Sequence, residues 1–193
     1  MHAVVVLNEA AGSLSGENPR LTPDDVREAF AAAGVEAKVR VVAAGAMVET
    51  MTEILRAAPD AIFVGGGDGT ISTAAGLLAD SEVLLGVLPL GTLNHFARDL
   101  GIPSAWRPAV AALVRGVPRR VDLGEVNDRP FINNCSIGSY ADAVRRRDAL
   151  RRIHGFGKAW AMVRASLVVF LRLRRLRLQL EVDQAVTDLR TPF

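Results

Sequence analysis

Six residues at positions 65–70, Gly-Gly-Gly-Asp-Gly-Thr, constrain the fold of this chain more than any other segment. They follow the apolar run 61–64 and precede a helical pattern over about 70–79. Glycines this dense let a backbone turn sharply and lie against a ligand without a Cβ in the way. Successive backbone N–H groups in such a loop suit an anion such as phosphate. The segment therefore predicts a buried strand, a phosphate-binding loop and a helix in succession.

Only two side chains of this loop carry chemistry, the carboxyl group of Asp68 and the hydroxyl group of Thr70. A carboxylate repels phosphate unless a divalent metal ion or a hydroxyl proton lies between them, so the pair indicates a metal–phosphate ligand. The loop is not a Walker A motif, because no lysine follows it, and Thr70 stands where a dinucleotide fingerprint has its third glycine. A glycine-rich turn without a ligand is the alternative.

Alternating strand and helix patterns surround the glycine loop and predict an α/β fold. The predicted strands are 3–7, 35–42, 61–64 and 83–88, and the predicted helices are 22–34, 46–58 and 70–79. Such repeated units imply a doubly wound parallel sheet with helices on both faces. Ligands bind such sheets at the carboxyl ends of the strands. We therefore expect Asn8, the 65–70 loop and the 89–94 loop to share one edge.

The pattern changes from about residue 119 onward. The elements predicted after the sheet are helices 93–100 and 106–115, strands 121–126 and 131–137 around a turn at 127–130, a helical region 140–171 interrupted at 155–157, and a strand 176–182. A last strand without a partner cannot form a stable sheet by itself. We therefore expect that the chain is a fragment or that its partner strands come from elsewhere. The sequence predicts an α/β domain at 1–118 and the incomplete start of a β-rich domain with inserted helices at 119–193.

The charge of the chain is distributed unevenly. Its formal net charge is +2, but the segment 144–177 holds 11 Lys and Arg residues and one acid, Asp148. This asymmetry predicts an anionic partner for the segment. A solvated helical face and contact with an anionic membrane surface are both consistent with it. Nucleic acid is not expected, because stacking aromatic residues are not interleaved with the basic ones.

Cysteine, histidine and apolar residues exclude several other classes. Cys135 is the single cysteine, so no intrachain disulfide can form. We therefore expect a reducing, cytoplasmic compartment. We also expect Cys135 to be a buried, small apolar residue. The three histidines have no zinc-ligand spacing. The start of the chain lacks a signal-peptide pattern, and the apolar run 167–171 is too short to span a bilayer. Any membrane association is expected to be peripheral, at the inner face.

A second motif occupies 89–97, with the sequence Pro-Leu-Gly-Thr-Leu-Asn-His-Phe-Ala. Proline and glycine shape a tight turn, and Thr92 and Asn94 offer short polar groups that either contact a ligand or cap the next helix. Phe96, Ala97 and Leu100 are predicted to form the buried face of that helix. Two loops of glycine and threonine on one edge suit phosphoryl transfer, which requires a cradled phosphate and a held metal ion.

Three segments, 65–70, 89–103 and 131–138, together resemble the diacylglycerol kinase catalytic domain family of lipid kinases, which also covers sphingosine and ceramide kinases. The resemblance extends over nearly the whole chain. It implies an N-terminal nucleotide-binding domain and a C-terminal β-rich domain, with ATP and Mg²⁺ bound in the cleft between them. It also implies transfer of the γ-phosphate of ATP to the hydroxyl group of a diacylglycerol- or sphingosine-type lipid acceptor.

The resemblance assigns roles to residues of this sequence. The implied nucleotide contacts are Asn8, Gly12, Ser13, Gly65, Gly66, Gly67, Asp68, Gly69, Thr70, Ser72, Gly91, Thr92 and Asn94. Asp68 is also the implied catalytic residue, joining a metal and proton network with Mg²⁺ through water. We expect Asn133 and Asn134 to satisfy backbone groups at a strand end, with a contribution to the cleft as the alternative.

Two departures from the family pattern affect the predicted activity. His95 stands where many members have an aspartate after the asparagine of the second motif, and we expect it to be a partly exposed, non-catalytic residue. The 193 residues also contain no Asp-Gly-Glu triplet, the family's late motif that holds the catalytic base. A non-catalytic ATP-binding remnant is therefore one alternative. An NAD kinase, which shares Gly-Gly-Asp-Gly, is another, although the second motif fits the lipid kinases better.

Overall fold

Four parallel strands form the central sheet, in the order β2-β1-β3-β4. The computed structural model describes residues 1–12, 14, 21–136, 176–182 and 185–191. The strands are β1 (Ala3–Asn8), β2 (Ala37–Val42), β3 (Ala61–Gly66) and β4 (Leu84–Pro89). They pair without offset, with Ala3 opposite both Ala37 and Ala61, and Ala61 opposite Leu84. Their carboxyl ends consequently lie level along one edge.

Helices cover both faces of this sheet, which confirms the predicted doubly wound α/β fold. The helices are α1 (Pro23–Ala32), α2 (Met47–Arg56), α3 (Asp68–Leu78), α4 (His95–Asp99) and α5 (Trp106–Arg115). On one face Phe30 of α1 meets Phe63 of β3 edge-to-face, with ring centroids 4.7 Å apart. On the other face Met51 of α2 and Ile71 of α3 share a cluster with alternate residues of β1. A sheet buried on both faces explains why its strands are continuously apolar.

Helix α1 begins where the sequence predicts. Thr22 caps it by accepting a hydrogen bond from the Asp25 N–H, and the Asp25 carboxylate accepts from the Thr22 N–H in return. Pro23 occupies the first turn, where no backbone N–H is needed. The side-chain hydrogen bond from Thr22 is the main reason that the pKa of Asp25 lies below its usual value. This reciprocal cap ends the preceding loop at Thr22.

The glycine loop between β3 and α3 is shorter than the sequence predicts. Gly65 and Gly66 continue β3, pairing with Leu88 and Pro89, and α3 already begins at Asp68. The prediction that Leu100 belongs to a buried helix face is wrong. Leu100 is 41% exposed, because α4 spans only five residues and the chain turns at Gly101, which has φ +71°.

A short hairpin follows α5. It consists of β5 (Gly124–Val126) and β6 (Arg129–Phe131), and Pro130 lies within β6 although the sequence predicts it in the turn. The turn contains only Asn127 and Asp128, with φ values of 49° and 57°. Two consecutive positive φ angles match the twist of a two-residue hairpin, and both residue types tolerate them. The hairpin packs on α3, where the Ser72 hydroxyl donates to the Pro130 carbonyl at 3.1 Å.

The chain divides into two compact units, residues 1–134 and 135–193. In the second unit β7 (Leu176–Val182) pairs antiparallel with β8 (Ala185–Thr191) from Leu176↔Thr191 to Val182↔Ala185. The expectation that the strand at 176–182 lacks a partner is therefore wrong. The sequence of 185–191 gives little indication of a strand, because polar residues occur on both of its alternating faces. The predicted helical region 140–171 lies outside the described residues, and the domain boundary at 118/119 stays a prediction.

Across the described ranges, no helix has both the length and the apolar character needed to cross a bilayer. Cys135 is exposed, so the prediction that it is buried is wrong. It lies in irregular chain after the hairpin, outside the described helices and strands.

Candidate functional site

The carboxyl ends of β1, β3 and β4 bring the predicted loops together. Asn8 ends β1, Gly66 ends β3, and Pro89 ends β4. The register places Leu7 opposite Gly65, and Gly66 opposite Pro89. The expectation that both motifs and Asn8 share one edge of the sheet is thus fulfilled in the structure.

Two glycines allow the two loops to touch through their backbones. A Cβ on Gly91 would lie 2.4 Å from Gly67 Cα and 3.0 Å from Gly67 N. Gly67 itself has φ −86° and ψ 175°, an extended conformation open to any residue. No glycine from 65 to 69 has a positive φ, so the expected sharp turn is not the reason for glycine here. The close approach of the loops explains the glycine at position 91, whereas a Cβ on Gly67 would lie at an ordinary 3.7 Å from Gly91 Cα.

Asn94 holds the second loop in this position. Its Oδ1 accepts from the Gly91 N–H at 2.9 Å, and its Nδ2 donates to the Gly91 carbonyl at 2.9 Å. The residue adopts a left-handed conformation with φ 50° and makes no capping hydrogen bond to α4. The alternative that Asn94 caps α4 is therefore not realised, both polar groups of the side chain are directed at Gly91, and its predicted nucleotide contact stays a prediction.

Asp68 lies half-buried at the first position of α3, where the loops meet. Its Oδ1 accepts from the Phe96 N–H at 3.1 Å and from Asn133 Nδ2 at 3.2 Å. Within the described part of the chain, Oδ2 has no hydrogen-bond donor. The carboxylate thus has one oxygen fixed by the protein and one available to a ligand.

Thr70 and Asn8 form a second fixed pair beside Asp68. The Ala10 N–H donates to Asn8 Oδ1 at 2.9 Å, which fixes the orientation of the amide. Asn8 Nδ2 then donates to Thr70 Oγ1 at 2.8 Å. Because this oxygen accepts from Asn8, its own proton is left to donate, and no described residue accepts it. The Thr70 hydroxyl is therefore a ready donor to an anion.

The other predicted contacts are distributed around this centre. Gly65 is buried, and a Cβ there would lie 2.6 Å from Leu90 Cδ1 and 2.7 Å from Leu7 Cδ2. Gly66 faces the Thr70 side chain in the same way. At Gly69 and Gly12 a Cβ would meet no described residue within 4 Å, so within the described part of the chain nothing covers either backbone.

Among the polar residues of the prediction, Thr92 is exposed, as is His95. The Ser72 hydroxyl is used by Pro130, whose carbonyl accepts its proton. Ser13 lies outside the described residues. Sequence reasoning assigned Asn133 to a strand end and gave the cleft only as an alternative, yet the structure brings Asn133 to Asp68. No local pattern connects two residues that are 65 positions apart.

Comparison with known proteins gives a consistent family. Residues 2–126 match the model of the diacylglycerol kinase catalytic domain. A protein of Pseudomonas aeruginosa named "Probable lipid kinase YegS-like" is 43% identical over 122 residues, which cover 60% of this chain and 40% of that protein. One of the same name from Chromohalobacter salexigens is 35% identical over 164 residues, or 76% of this chain and 52% of that protein.

A protein named diacylglycerol kinase from Bacillus subtilis is 47% identical over 77 residues, which cover 38% of this chain and 25% of that protein. The chain spans about half the length, or less, of these curated relatives. The crystal structure of a diacylglycerol kinase from Bacillus anthracis superimposes with a TM-score of 0.68 at 22% identity, covering 98% of this chain and 61% of that one. That likeness shows the fold.

Proposed function

Because the chain belongs to the diacylglycerol kinase catalytic domain family, we propose that it binds ATP at the edge formed by β1, β3 and β4 and transfers the γ-phosphate to a lipid hydroxyl. The observation that carries the proposal is the junction of the two glycine loops around Asp68. There Asp68 has a carboxylate oxygen, Oδ2, to which no described residue donates, and Thr70 in the same first turn of α3 has a hydroxyl proton that no described residue accepts. This pair is what a metal–phosphate ligand requires.

The proposed seat of the ATP phosphates is the first turn of α3. The Thr70 N–H donates to the Gly67 carbonyl at 2.9 Å, whereas no described residue accepts from the N–H groups of Asp68 and Gly69. Such N-terminal N–H groups and the helix dipole favour negative charge. The Thr70 hydroxyl adds a donor whose direction Asn8 has set. At Gly69 a Cβ would have no described atom within 4 Å, so the backbone can be approached from that side. These groups together support a phosphate that approaches the backbone closely.

The residues present fit Mg²⁺ bound with a nucleotide. The described residues contain no cluster of three or more His, Cys, Asp or Glu side chains that could hold a metal ion by themselves. Mg²⁺ commonly keeps several waters and binds through one or two carboxylates plus the substrate's phosphates. Asp68, through Oδ2 and a water, would be that carboxylate. When bound, the ion neutralises negative charge that develops on the transferred phosphoryl group.

The chain's own residues contribute orientation and hydrogen bonds to the proposed transfer. Asn94 holds Gly91 against Gly67, so that both loops frame the phosphates. Thr70 donates to a phosphate oxygen, and the Phe96 N–H keeps the Asp68 carboxylate in place. The lipid hydroxyl oxygen forms the new bond to phosphorus and releases its proton to solvent, the bond between the γ-phosphorus and the bridging oxygen breaks, and ADP leaves. Positioning and charge stabilisation account for most of such catalysis.

A transfer assay tests this proposal. The purified chain is incubated with Mg²⁺, ATP labelled in the γ-phosphate, and either diacylglycerol or sphingosine in mixed micelles, or NAD. We expect label in a lipid product and none in NADP. Label in NADP alone would contradict the lipid assignment in favour of an NAD kinase. Binding of Mg·ATP without any transfer would contradict the catalytic proposal and favour an ATP-binding remnant.

Replacing Thr70 by valine is expected to weaken Mg·ATP binding by about 10- to 100-fold, because a hydrogen bond to a charged group contributes about 1.5–3 kcal/mol. Valine keeps the shape that packs against Gly66 but removes the proton. Thr70→Ser, which keeps the hydroxyl, is the matched control and should bind within a few-fold of the wild type. Calorimetric titration measures both. Equal affinity of the valine and serine variants would contradict the proposed contact.

We also propose that the basic segment 144–177 contacts anionic lipid at the inner membrane face. The support is its charge, 11 basic residues against one acid, since Lys and Arg near an anionic surface contribute about 1 kcal/mol each. The chain is expected to sediment with phosphatidylglycerol vesicles and to stay in the supernatant with phosphatidylcholine vesicles. Raising the salt concentration should release it. Equal partition into both kinds of vesicle would overturn the electrostatic contact.

A further inference from the structure

The side chain of Asn133 makes one hydrogen bond that the proposed phosphate site does not itself require. Its Nδ2 donates to Asp68 Oδ1 at 3.2 Å. A carboxylate oxygen only accepts, so the amide nitrogen and not its oxygen must face Asp68. Asn133 lies two residues beyond β6, outside the part of the chain that matches the family model. A group from the segment that follows the hairpin thus reaches the first residue of α3.

The backbone around Asn133 is held by contacts other than this bond. Pro130 accepts a hydrogen bond from Ser72, one turn along α3 from Asp68. Ile132 packs against the apolar cluster that includes Ile71 and Ala74. The segment just before Asn133 is therefore fastened to the same helix that begins at Asp68. Asn133 is exposed, but its main chain starts from a fixed position.

The two donors on Oδ1 have a consequence for Oδ2. The Phe96 N–H and the Asn133 amide approach the same oxygen from different parts of the chain. Rotation of the carboxylate would break both bonds, so Oδ2 stays directed away from them. Both donors are neutral, and they orient the carboxylate without cancelling its charge. A lysine or arginine in place of Asn133 would compete with a metal ion for that charge.

We propose that Asn133 is a positioning residue that holds the Asp68 carboxylate in the orientation that receives Mg²⁺ with the nucleotide. This inference rests on the proposed function and adds to it a residue of the segment that follows the hairpin. Partners that orient a metal-binding side chain commonly change metal affinity by 10- to 100-fold when they are removed. Asn133 contacts Asp68 and is assigned no contact with the nucleotide.

The test measures the metal-dependent part of nucleotide affinity, the ratio of the ADP dissociation constant in EDTA to that in Mg²⁺. Asn133→Ala is expected to lower this ratio about 10-fold and to leave ADP affinity in EDTA unchanged. Asn133→Gln keeps the amide and should recover most of the ratio. Asn127→Gly is the matched control, since it removes an exposed amide from the preceding hairpin, at a position with φ 49° that glycine accepts.

A second pair of variants separates positioning from a structural role. If Asn133 acts through Asp68, Asn133→Ala should cause no further loss of the ratio in the Asp68→Ala background. Equal losses in both backgrounds, or a loss of ADP affinity in EDTA, would overturn the inference and leave the proposed function intact. Mg²⁺ that fails to raise ADP affinity in the wild type would overturn the proposed function and this inference with it. Urea unfolding of each variant verifies that it is folded.

Discussion

Asp68→Asn is expected to reduce Mg²⁺-dependent nucleotide binding and phosphoryl transfer by about 100-fold or more. The substitution keeps the size of the side chain and an oxygen that accepts from the Phe96 N–H and Asn133. It removes the negative charge and replaces the free oxygen by an amide nitrogen, which cannot bind a cation. A loss of several kcal/mol of metal-assisted stabilisation corresponds to a 100-fold or larger reduction, because each 1.36 kcal/mol changes a rate constant or binding constant tenfold.

Asp80→Asn is the matched control for this substitution. Asp80 is exposed beyond the other end of α3 and has φ 61°, which asparagine tolerates. Losing a negative charge near a helix C-terminus is neutral or slightly stabilising, and we expect nucleotide binding to be unchanged. Calorimetric titrations of ADP with Mg²⁺ and in EDTA compare the two variants. Binding by Asp68→Asn within a few-fold of the wild type would refute the role of this carboxylate.

The sheet could be predicted from the sequence because burial on both faces leaves a local signal. Every residue from Ala3 to Leu7 is apolar, and all five are buried, with alternate side chains in opposite layers. The start of α1 could be predicted for the same reason, because the cap is formed by neighbouring residues, Thr22, Pro23 and Asp25. Parallel pairing then required both motifs to lie at one edge. These steps used information within a few residues of each element.

Contacts between distant segments carried no such signal. The bond between Asp68 and Asn133 depends on where a hairpin folds back, and the clamp of Asn94 on Gly91 depends on a left-handed backbone that the sequence did not indicate. Leu100 and Cys135 were assigned to the interior on residue type, yet both are exposed. Their exposure follows from the short α4 and from the irregular chain after the hairpin.

The glycines of the two motifs look alike in the sequence and differ in the structure. Gly65 is buried because Leu7 and Leu90 close over it. Gly91 lacks room for a side chain because a Cβ there would meet the Gly67 backbone, and Gly69 has open space where a Cβ would be. Only the last kind is explained by a ligand rather than by the protein. Replacing a glycine that is packed against the protein should therefore lower the free energy of unfolding, whereas replacing one that faces open space should weaken nucleotide binding without lowering that free energy.

Gly91→Ala is expected to lower the free energy of unfolding by about 1–3 kcal/mol, in the range of an overpacked interior. The new Cβ would lie 2.4 Å from Gly67 Cα and 2.8 Å from Asn94 Oδ1. The first contact is with backbone, so no flexible side chain can move aside, and relief requires that the two loops separate. Nucleotide binding should fall together with stability, because the loops that frame the phosphates no longer meet. Urea unfolding and calorimetric titration measure the two quantities.

Gly69→Ala provides the opposite case within the same site. Its Cβ meets nothing within 4 Å, and alanine within α3 is more favourable than glycine by up to about 0.5–1 kcal/mol. We expect this variant to be as stable as the wild type or more so, yet to bind Mg·ATP at least about 10-fold more weakly, because the methyl group enters the space proposed for phosphate. Undiminished binding by Gly69→Ala would mean that the phosphate does not approach this turn of the helix. Wild-type stability of Gly91→Ala would mean that the contact between the loops is not tight.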